Sequence, residues 1–583
     1  MKIWNQTSIS DFYEGRHFEL HEFFGAHRVG GSNGGSTVFR VWAPGVQQVS
    51  VVGDFNGWDT QSNPMTRLDG SDVWRVSVPK VKIGQCYKYR LQTNDGTWIE
   101  KSDPFAIQGE VAPNTASMVQ SRSYRWSDRK WMNTRQQVNP WQQAMSIYEV
   151  HLGSWGKQAT GDEPLYRAIA KPLAKYVRDL GFTHVELMPI MEHPYYPSWG
   201  YQVTGYFAAT ARYGGVNDLK YLVDTLHKAG IGVIFDWVPA HFPTDAHGLY
   251  KFNGESIFEH PDPRRGWHPD WTTAIFDFGK PEVRSFLFSS AMYWIEHFHA
   301  DGLRVDAVAS MLYLDYSRKD GEWLPNAEGG RENWDAVSLF RDLNTHVGQN
   351  HPNVMMIAED STAWPGVSRS AESGGLGFGF KWDLGWMNDA LRYFSKEPVY
   401  RKHHHNDLTF RAVYAHSENF VLPLSHDEVV HGKGSLLNKM PGDQWQKFAN
   451  LRLLLASMYG QPGKKLLFMG SELASEQEWN CDVPLPWHLL ESHLNQGIQS
   501  LVRALNQLYQ SQSGLYEWDH NSEGYHWIDG SDEQQSVISY ARRGGQEEDW
   551  ILIVGNYTPT PREGYRIGVP TEGSWQVLLN TDA

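Results

Sequence analysis

Gly302-Leu303-Arg304-Val305-Asp306-Ala307-Val308-Ala309-Ser310 reads as a short buried strand that sets a cation and a carboxylate two residues apart. Side chains two apart on a strand share a face, so Arg304 and Asp306 stand together while Leu303 and Val305 turn the other way. A guanidinium beside a carboxylate favours the ionised form and lowers its pKa. Ionised and held at a strand end, Asp306 is a candidate nucleophile. Such a pair is, on its own, more often a structural ion pair than a piece of chemistry. Its meaning rests on the segments around it.

Outward from this stretch, from Ala144 on, the sequence repeats one unit: an apolar strand, followed in most cases by a helical stretch. Strand candidates fall at 146–150, 184–189, 232–238, 302–308, 354–358, 378–382, 420–424 and 465–469, with helices at 166–180, 219–229, 283–299, 334–347 and 445–459. Eight strand candidates in this alternation predict a (β/α)8 TIM barrel. Residues 253–273, rich in Pro, His and Trp, form a long excursion after the third strand.

On the N-terminal side the pattern is all β: TVFRVWAP, VSVVGDF, VWRVSVP and CYKYRLQT, each bounded by turn residues, predict a β-sandwich. Before it, the lead ends in Gly30-Gly31-Ser32-Asn33-Gly34-Gly35-Ser36. No Lys-Ser/Thr follows and a strand comes next, so this is a flexible turn and not a phosphate cradle. After Leu515 the runs SVISYARR, DWILIVGNY, YRIGVP and SWQVLLN return to strands. The expected organisation is multidomain: a lead over 1–36, a β-sandwich over 37–118, a barrel over 119–514 and a C-terminal β-domain over 515–583.

Composition narrows the partners. A net charge of −15 argues against nucleic acid or an anionic membrane and suits a neutral ligand. Aromatic residues make up 14%, with 26 Trp, which fill cores but also cover sugar rings. Two cysteines, Cys86 and Cys481, fit a reducing compartment and carry no metal-ligand spacing. The N-terminus lacks the apolar run of a signal peptide, and no stretch is long and apolar enough to span a bilayer. The cytoplasm is the expected address.

In a TIM barrel the chemistry sits at the C-terminal strand ends. The third strand candidate runs into Asp236-Trp237-Val238-Pro239-Ala240-His241, the fourth ends at Arg304 and Asp306, the fifth at Ala358-Glu359-Asp360, and the seventh at Ser425-His426-Asp427-Glu428. Any one of these fits a capping acid or a core histidine. Four acidic strand ends converging on one mouth are hard to explain structurally.

The runs DWVPAH, GLRVDAVAS, AED and LSHDE resemble the four signature regions of the α-amylase superfamily of retaining α-glucan enzymes (glycoside hydrolase family 13). Within it, YEVHLGSW (148–155), WGYQVTGYFA (199–208), DWVPAHF (236–242), GLRVDAVASMLYLDY (302–316), GFKWDLGWMND (379–389) and LPLSHDEVVHGK (422–433) are similar to the glycogen (1,4-α-glucan) branching enzymes. Gly53-Asp54-Phe55-Asn56-Gly57-Trp58-Asp59 resembles the glucan-associated β-module that precedes amylase-type barrels, and a docking module with little sugar affinity fits equally.

The resemblance implies Asp306 as nucleophile, Glu359 as general acid/base and Asp427 as the carboxylate that grips the reacting sugar. It places Arg304, His241 and His426 in a polar clamp, Asp236 as a supporting acid and Tyr201 as an aromatic at the same subsite. None of these positions departs from the pattern, which argues against a barrel kept only for glucan binding. A retaining mechanism needs an ionised attacking carboxylate and a protonated donor about 5–5.5 Å apart. Arg304 is expected to keep Asp306 charged, and Glu359, beside Asp360, to have a raised pKa. The implied partner is α-glucan, as glycogen or linear maltodextrin, serving as donor and acceptor. A glucan 6-hydroxyl as acceptor makes a branch; water makes a hydrolase, the alternative reading that the catalytic residues do not separate.

Trp199, Tyr201, Trp237, Trp382 and Trp386 are the aromatic candidates for holding an acceptor chain, Trp237 being the most apt for the core. No cofactor or metal is expected: His403-His404-His405 cannot all face one ion on a regular element. Glu476-Gln477-Glu478-Trp479-Asn480 resembles the family's rim segment, and a solvated loop reads equally well. The long form of the family carries a further N-terminal β-module, and relatives run on past 578–583. An incomplete C-terminal β-domain is therefore expected.

Overall fold

A computed structural model describes residues 5–30, 35–156, 163–546 and 549–582. Its centre is a closed barrel of eight parallel strands: β1 (Ser146–Val150), β2 (His184–Leu187), β3 (Gly232–Trp237), β4 (Gly302–Val305), β5 (Met355–Ala358), β6 (Phe380–Trp382), β7 (Phe420–Leu424) and β8 (Lys464–Phe468). β8 pairs with β1 and closes the ring. Parallel strands are covered on both faces, which is why each is a near-continuous apolar run. Ile147, Ile234, Ile357, Phe380, Val421 and Leu466 fill the barrel's interior.

Helices α1 (Leu165–Asp179), α2 (Val216–Lys228), α3 (Pro281–His297), α4 (Trp334–Asn350), α5 (Leu384–Phe394), α6 (Gln444–Gly460) and α7 (His493–Ser511) form the outer ring. Among the described residues, the connection from β5 to β6 holds only a 3-10 turn, Ala371–Ser373. β4 ends at Val305, short of the expected 308, because Ala307 takes a left-handed φ of 54° that a strand cannot continue. The excursion after β3 folds on itself, with Thr273–Ile275 pairing His241–Phe242 on one side and Trp267–His268 on the other.

The N-terminal β-module has two sheets. One orders Gly25–Val29, Ser36–Trp42, Val73–Pro79 and Thr66–Arg67; the other joins Gln48–Gly53, Cys86–Gln92 and Trp98–Lys101, with Ser117–Met118 on Cys86–Gln92. Gly25–Val29 lies in the stretch read from sequence as a lead. Within the turn expected at 30–36, residues 31–34 lie outside the described residues.

This module shares its core with the barrel. Phe105 meets Phe24 on one side and Phe207 and Phe286 on the other, while Trp42 packs edge-on against Phe258. Lys101 Nζ donates to the Tyr250 carbonyl and Asn253 Nδ2 to that of Pro44, both at 2.8 Å. α3 is buried on nearly every side because it lies between the two.

The C-terminal sheet is antiparallel: Tyr525–Asp529, Val537–Arg543 and Trp550–Asn556. YRIGVP and SWQVLLN, expected as strands, are irregular here. A strand needs a ladder partner, and among the described residues none pairs with them, so Val569, Val577 and Leu578 stay exposed.

Candidate active site

β3 and β4 run in register, Asp236 opposite Arg304 and Trp237 opposite Val305. This places the β4 guanidinium against the β3 carboxylate inside the barrel mouth. Arg304 Nη1 lies 2.8 Å from both oxygens of Asp236 and 2.8 Å from Asp306 Oδ1. Its Nη2 lies 3.9 Å from Glu359 Oε2 at the end of β5. Tyr201 donates to Asp236 Oδ2 at 2.7 Å and sits 3.3 Å from His426 Nε2. His426 Nε2 is 3.4 Å from Asp427 Oδ1, whose side chain is 48% exposed and faces the opening.

Seven of the eight residues singled out from sequence thus share one hydrogen-bonded and ion-paired cluster. His241 is the eighth and stands to one side. It is buried against Trp271, its carbonyl accepts from Tyr206 at 2.8 Å, and its Nδ1 has no hydrogen-bond partner. Burial, followed by the nearby His268, lowers its pKa to about 3, so it is neutral.

The left-handed Ala307 has a local consequence. Turning the chain directly after Asp306, it points its N–H at Glu359 Oε2, 2.7 Å away. Residues held in sparsely populated backbone regions concentrate at functional sites.

The electrostatics correct one expectation. Arg304 does not hold Asp306 low. Burial pushes that carboxyl well above the usual aspartate range; Arg304 pulls it back, and Asp236, Glu359 and Asp427 push it up again. One guanidinium is divided between two buried aspartates, so its pull is too small to offset desolvation. Glu359 is raised as expected, by burial first, with Asp427 and Asp360 adding to it against Arg304 and the Ala307 N–H. For His426, burial opposes the charge, but Asp427 and Glu149 outweigh it and hold the imidazole at about 9. Asp427 in turn is lowered: burial raises it, and His426 and Arg304 together overcome that.

Sequence reading passed over four participants. Glu149, on β1, accepts from the His426 backbone N–H at 3.0 Å and pairs with its Nδ1 at 2.5 Å, fixing the ring. Lys381 Nζ pairs with Asp360 at 2.9 Å behind Glu359. His268 and Trp271 stack at 3.7 Å on the excursion beside His241. The available signal was a carboxylate or lysine inside an otherwise apolar barrel strand, as in Ser146-Ile147-Tyr148-Glu149-Val150 and Phe380-Lys381-Trp382.

Of the aromatic candidates, Trp237, Trp382 and Trp386 are buried. Trp382 lies inside the barrel with the Arg304 guanidinium 4.5 Å over its ring, so it supports the site from below and cannot stack on a sugar. Trp199 is partly exposed, left-handed, and packed against His431 and Trp479. The rim segment is tied down and not a free loop: Glu478 accepts from the N–H groups of Gly432 and Gly434.

Comparison with known proteins agrees with this architecture. Residues 23–106 match the family described as carbohydrate-binding module 48 (isoamylase N-terminal domain), 166–274 the alpha amylase catalytic domain and 527–583 the alpha amylase C-terminal all-beta domain. Among solved structures, a pullulanase from Paenibacillus barengoltzii superposes with a TM-score of 0.71 at 16% identity, over 96% of this chain and 91% of that one. A putative alpha amylase from Salmonella typhimurium gives 0.66 at 21%, over 89% and 91%.

Two relatives are far nearer in sequence, both named 1,4-alpha-glucan branching enzyme. The protein from Thiobacillus denitrificans is 53% identical over 575 residues, 98% of this chain and 77% of that one. That from Aquifex aeolicus is 55% identical over 589 residues, 100% of this chain and 93% of the relative. With such identity along the whole chain, around a three-part fold centred on a carboxylate-lined barrel, the chain belongs to the 1,4-α-glucan branching enzymes of the α-amylase superfamily.

Proposed function

We propose that this protein cleaves an α-1,4 linkage of a glucan with retention and transfers the released chain to a glucan 6-hydroxyl, forming an α-1,6 branch. The choice of a glucan hydroxyl over water rests on the 55% identity, along the whole chain, with a protein named 1,4-alpha-glucan branching enzyme. The double displacement rests on one guanidinium, Arg304, in reach of two carboxyl groups at the barrel mouth: 2.8 Å from Asp306 and 3.9 Å from Glu359. Against the burial that raises Asp306, Arg304 is the cation that pulls it toward the charge it needs for attack, and Glu359, raised as well, keeps the proton. Glu359 Oε2 already accepts from Ala307, which leaves Oε1 to carry that proton.

The sequence of events is a double displacement. Glu359 gives its proton to the glycosidic oxygen as the bond from that oxygen to C1 breaks, and an Asp306 oxygen forms the ester with C1. The fragment carrying the new hydroxyl departs. Glu359, now a carboxylate, removes the proton of the acceptor 6-hydroxyl, whose oxygen attacks C1 and releases Asp306. Asp427, on the exposed lip, grips sugar hydroxyls of the reacting ring with the charged His426, and Tyr201 covers its apolar face. Asp236 anchors Arg304, and neutral His241 stands at the neighbouring edge. None of these steps calls for a cofactor.

The proposed address is the cytoplasm, where glycogen would be donor and acceptor; among the described residues no helix is long and apolar enough to cross a membrane. Incubation with linear α-1,4-glucan, followed by isoamylase debranching and chain profiling, tests the reading. New short chains released only on debranching are expected. Reducing ends that rise directly, before debranching, would make the protein a hydrolase.

A further inference from the structure

At the C-terminal end of α3, the N-terminal lead places His21 and Glu22 against His297, the last residue of that helix. Three ligand-type atoms converge there. His21 Nε2 is 3.1 Å from His297 Nε2, His297 Nε2 is 3.2 Å from Glu22 Oε1, and His21 Nε2 is 3.9 Å from the same oxygen. A triangle with these sides has a point about 2.0 Å from all three corners, within the Zn–N and Zn–O bond range of 2.0–2.2 Å. Hydrogen bonding satisfies the triangle poorly, since a proton on either ring's Nε2 can serve one of the two short contacts well and leaves the other without one.

We infer that His21, Glu22 and His297 form a binding site for an imidazole-preferring divalent cation, Zn2+ first among them, that clamps the N-terminal lead to α3. The donor set, two imidazoles and a carboxylate, suits Zn2+, Co2+ or Ni2+ and is too nitrogen-rich for Mg2+ or Ca2+. His21 is fully buried and its Nδ1 has no hydrogen-bond partner, so what its Nε2 meets decides how the ring is held. His297 and Glu22 are 26% and 28% exposed, which opens a fourth position to water. The Arg122 guanidinium lies 3.5 Å from Glu22 Oε1, longer than a usual hydrogen bond, and donates to the His21 carbonyl instead. None of these residues touches the catalytic cluster. α3 continues through Asp301 into β4, the strand that carries Arg304, so the clamp fixes the module to the element that positions the nucleophile.

The test uses the full chain after dialysis against EDTA, titrated calorimetrically with ZnCl2, with Co2+ as a spectroscopic probe. Expected are one Zn2+ per chain, a higher Tm with the metal, and the strong visible absorption of four-coordinate Co2+. His297→Ala and Glu22→Gln, both at partly exposed positions, should each weaken binding by on the order of 100-fold and abolish the Tm gain. Absence of saturable 1:1 binding overturns the proposal. So does binding of equal affinity in both variants, which would place the metal on other histidines, or a weak, six-coordinate Co2+ spectrum.

Discussion

At the scale of the residue, the site turns on how few cations serve its carboxyls. Asp306→Asn keeps the shape and removes the proposed nucleophile. Transfer and hydrolysis should both fall by on the order of a thousandfold or more, with circular dichroism and Tm near wild type; substantial residual activity would take Asp306 out of the role. The pH profile follows from the second carboxyl. Glu359 must hold a proton to act, so its raised pKa sets the alkaline limb of kcat/KM. Asp360 contributes to that rise, and Asp360→Asn also leaves the Lys381 charge unopposed. Both effects lower the pKa of Glu359, and the alkaline limb should move to lower pH. Glu149→Gln removes one of the charges that hold His426 at about 9, against an ordinary 6.5. Its imidazolium is then lost earlier as pH rises, and KM for glucan should climb between about 6.5 and about 9, where the wild type stays flat. The seven residues that cluster at the mouth were legible in sequence as candidates because most of them stand in contiguous motifs at strand ends. Glu149 and Lys381 were not, since an isolated charge in an apolar strand reads as an irregularity until the barrel closes and brings it to a partner on another strand. The sign of the Asp306 shift was illegible for a related reason: spacing shows a neighbouring guanidinium but not how many other carboxylates share it.

At the scale of the element, the loops after β2 and β8 meet over the mouth, and the acceptor must be held there against water. Bulk water is about 55 M, whereas a well-oriented reactant can reach effective molarities of roughly 10⁵ M or more, so orientation decides the product. Trp199 is the partly exposed tryptophan among the candidates, backed by His431 and Trp479. Trp199→Ala should raise hydrolysis relative to branching several-fold in a folded protein; an unchanged ratio would move acceptor control elsewhere. Trp382→Ala makes the contrast. Beneath Arg304 and 1% exposed, its loss should cost about 3–5 kcal/mol of stability and lower both activities together. Periodicity located all eight barrel strands. It did not show which Trp faces the lumen, because strand β6 is only three residues long and a run of that length has no resolved period.

At the scale of the whole molecule, the three-part plan could be read from composition shifts alone, as β runs gave way to alternating strand and helix and then returned. What composition could not show is that the N-terminal module and the barrel have one core. Phe105 is the junction, 5% exposed and ringed by Phe24, Phe207 and Phe286. Phe105→Ala should cost about 3–5 kcal/mol, seen as a lower midpoint in a single cooperative denaturant transition; two separated transitions would mean the module melts independently. The two C-terminal runs that failed to pair were misread because apolar alternation records the capacity to form a strand, and pairing depends on a neighbour that the local sequence does not contain.

That shared core also makes the module a gauge. Aromatic rings interleaved across the joint and backbone carbonyls gripped from both sides hold it against swinging. Any chain lying along its outer face is therefore presented to the barrel mouth at one fixed distance and heading. Small-angle scattering should return the same envelope with and without a bound oligosaccharide.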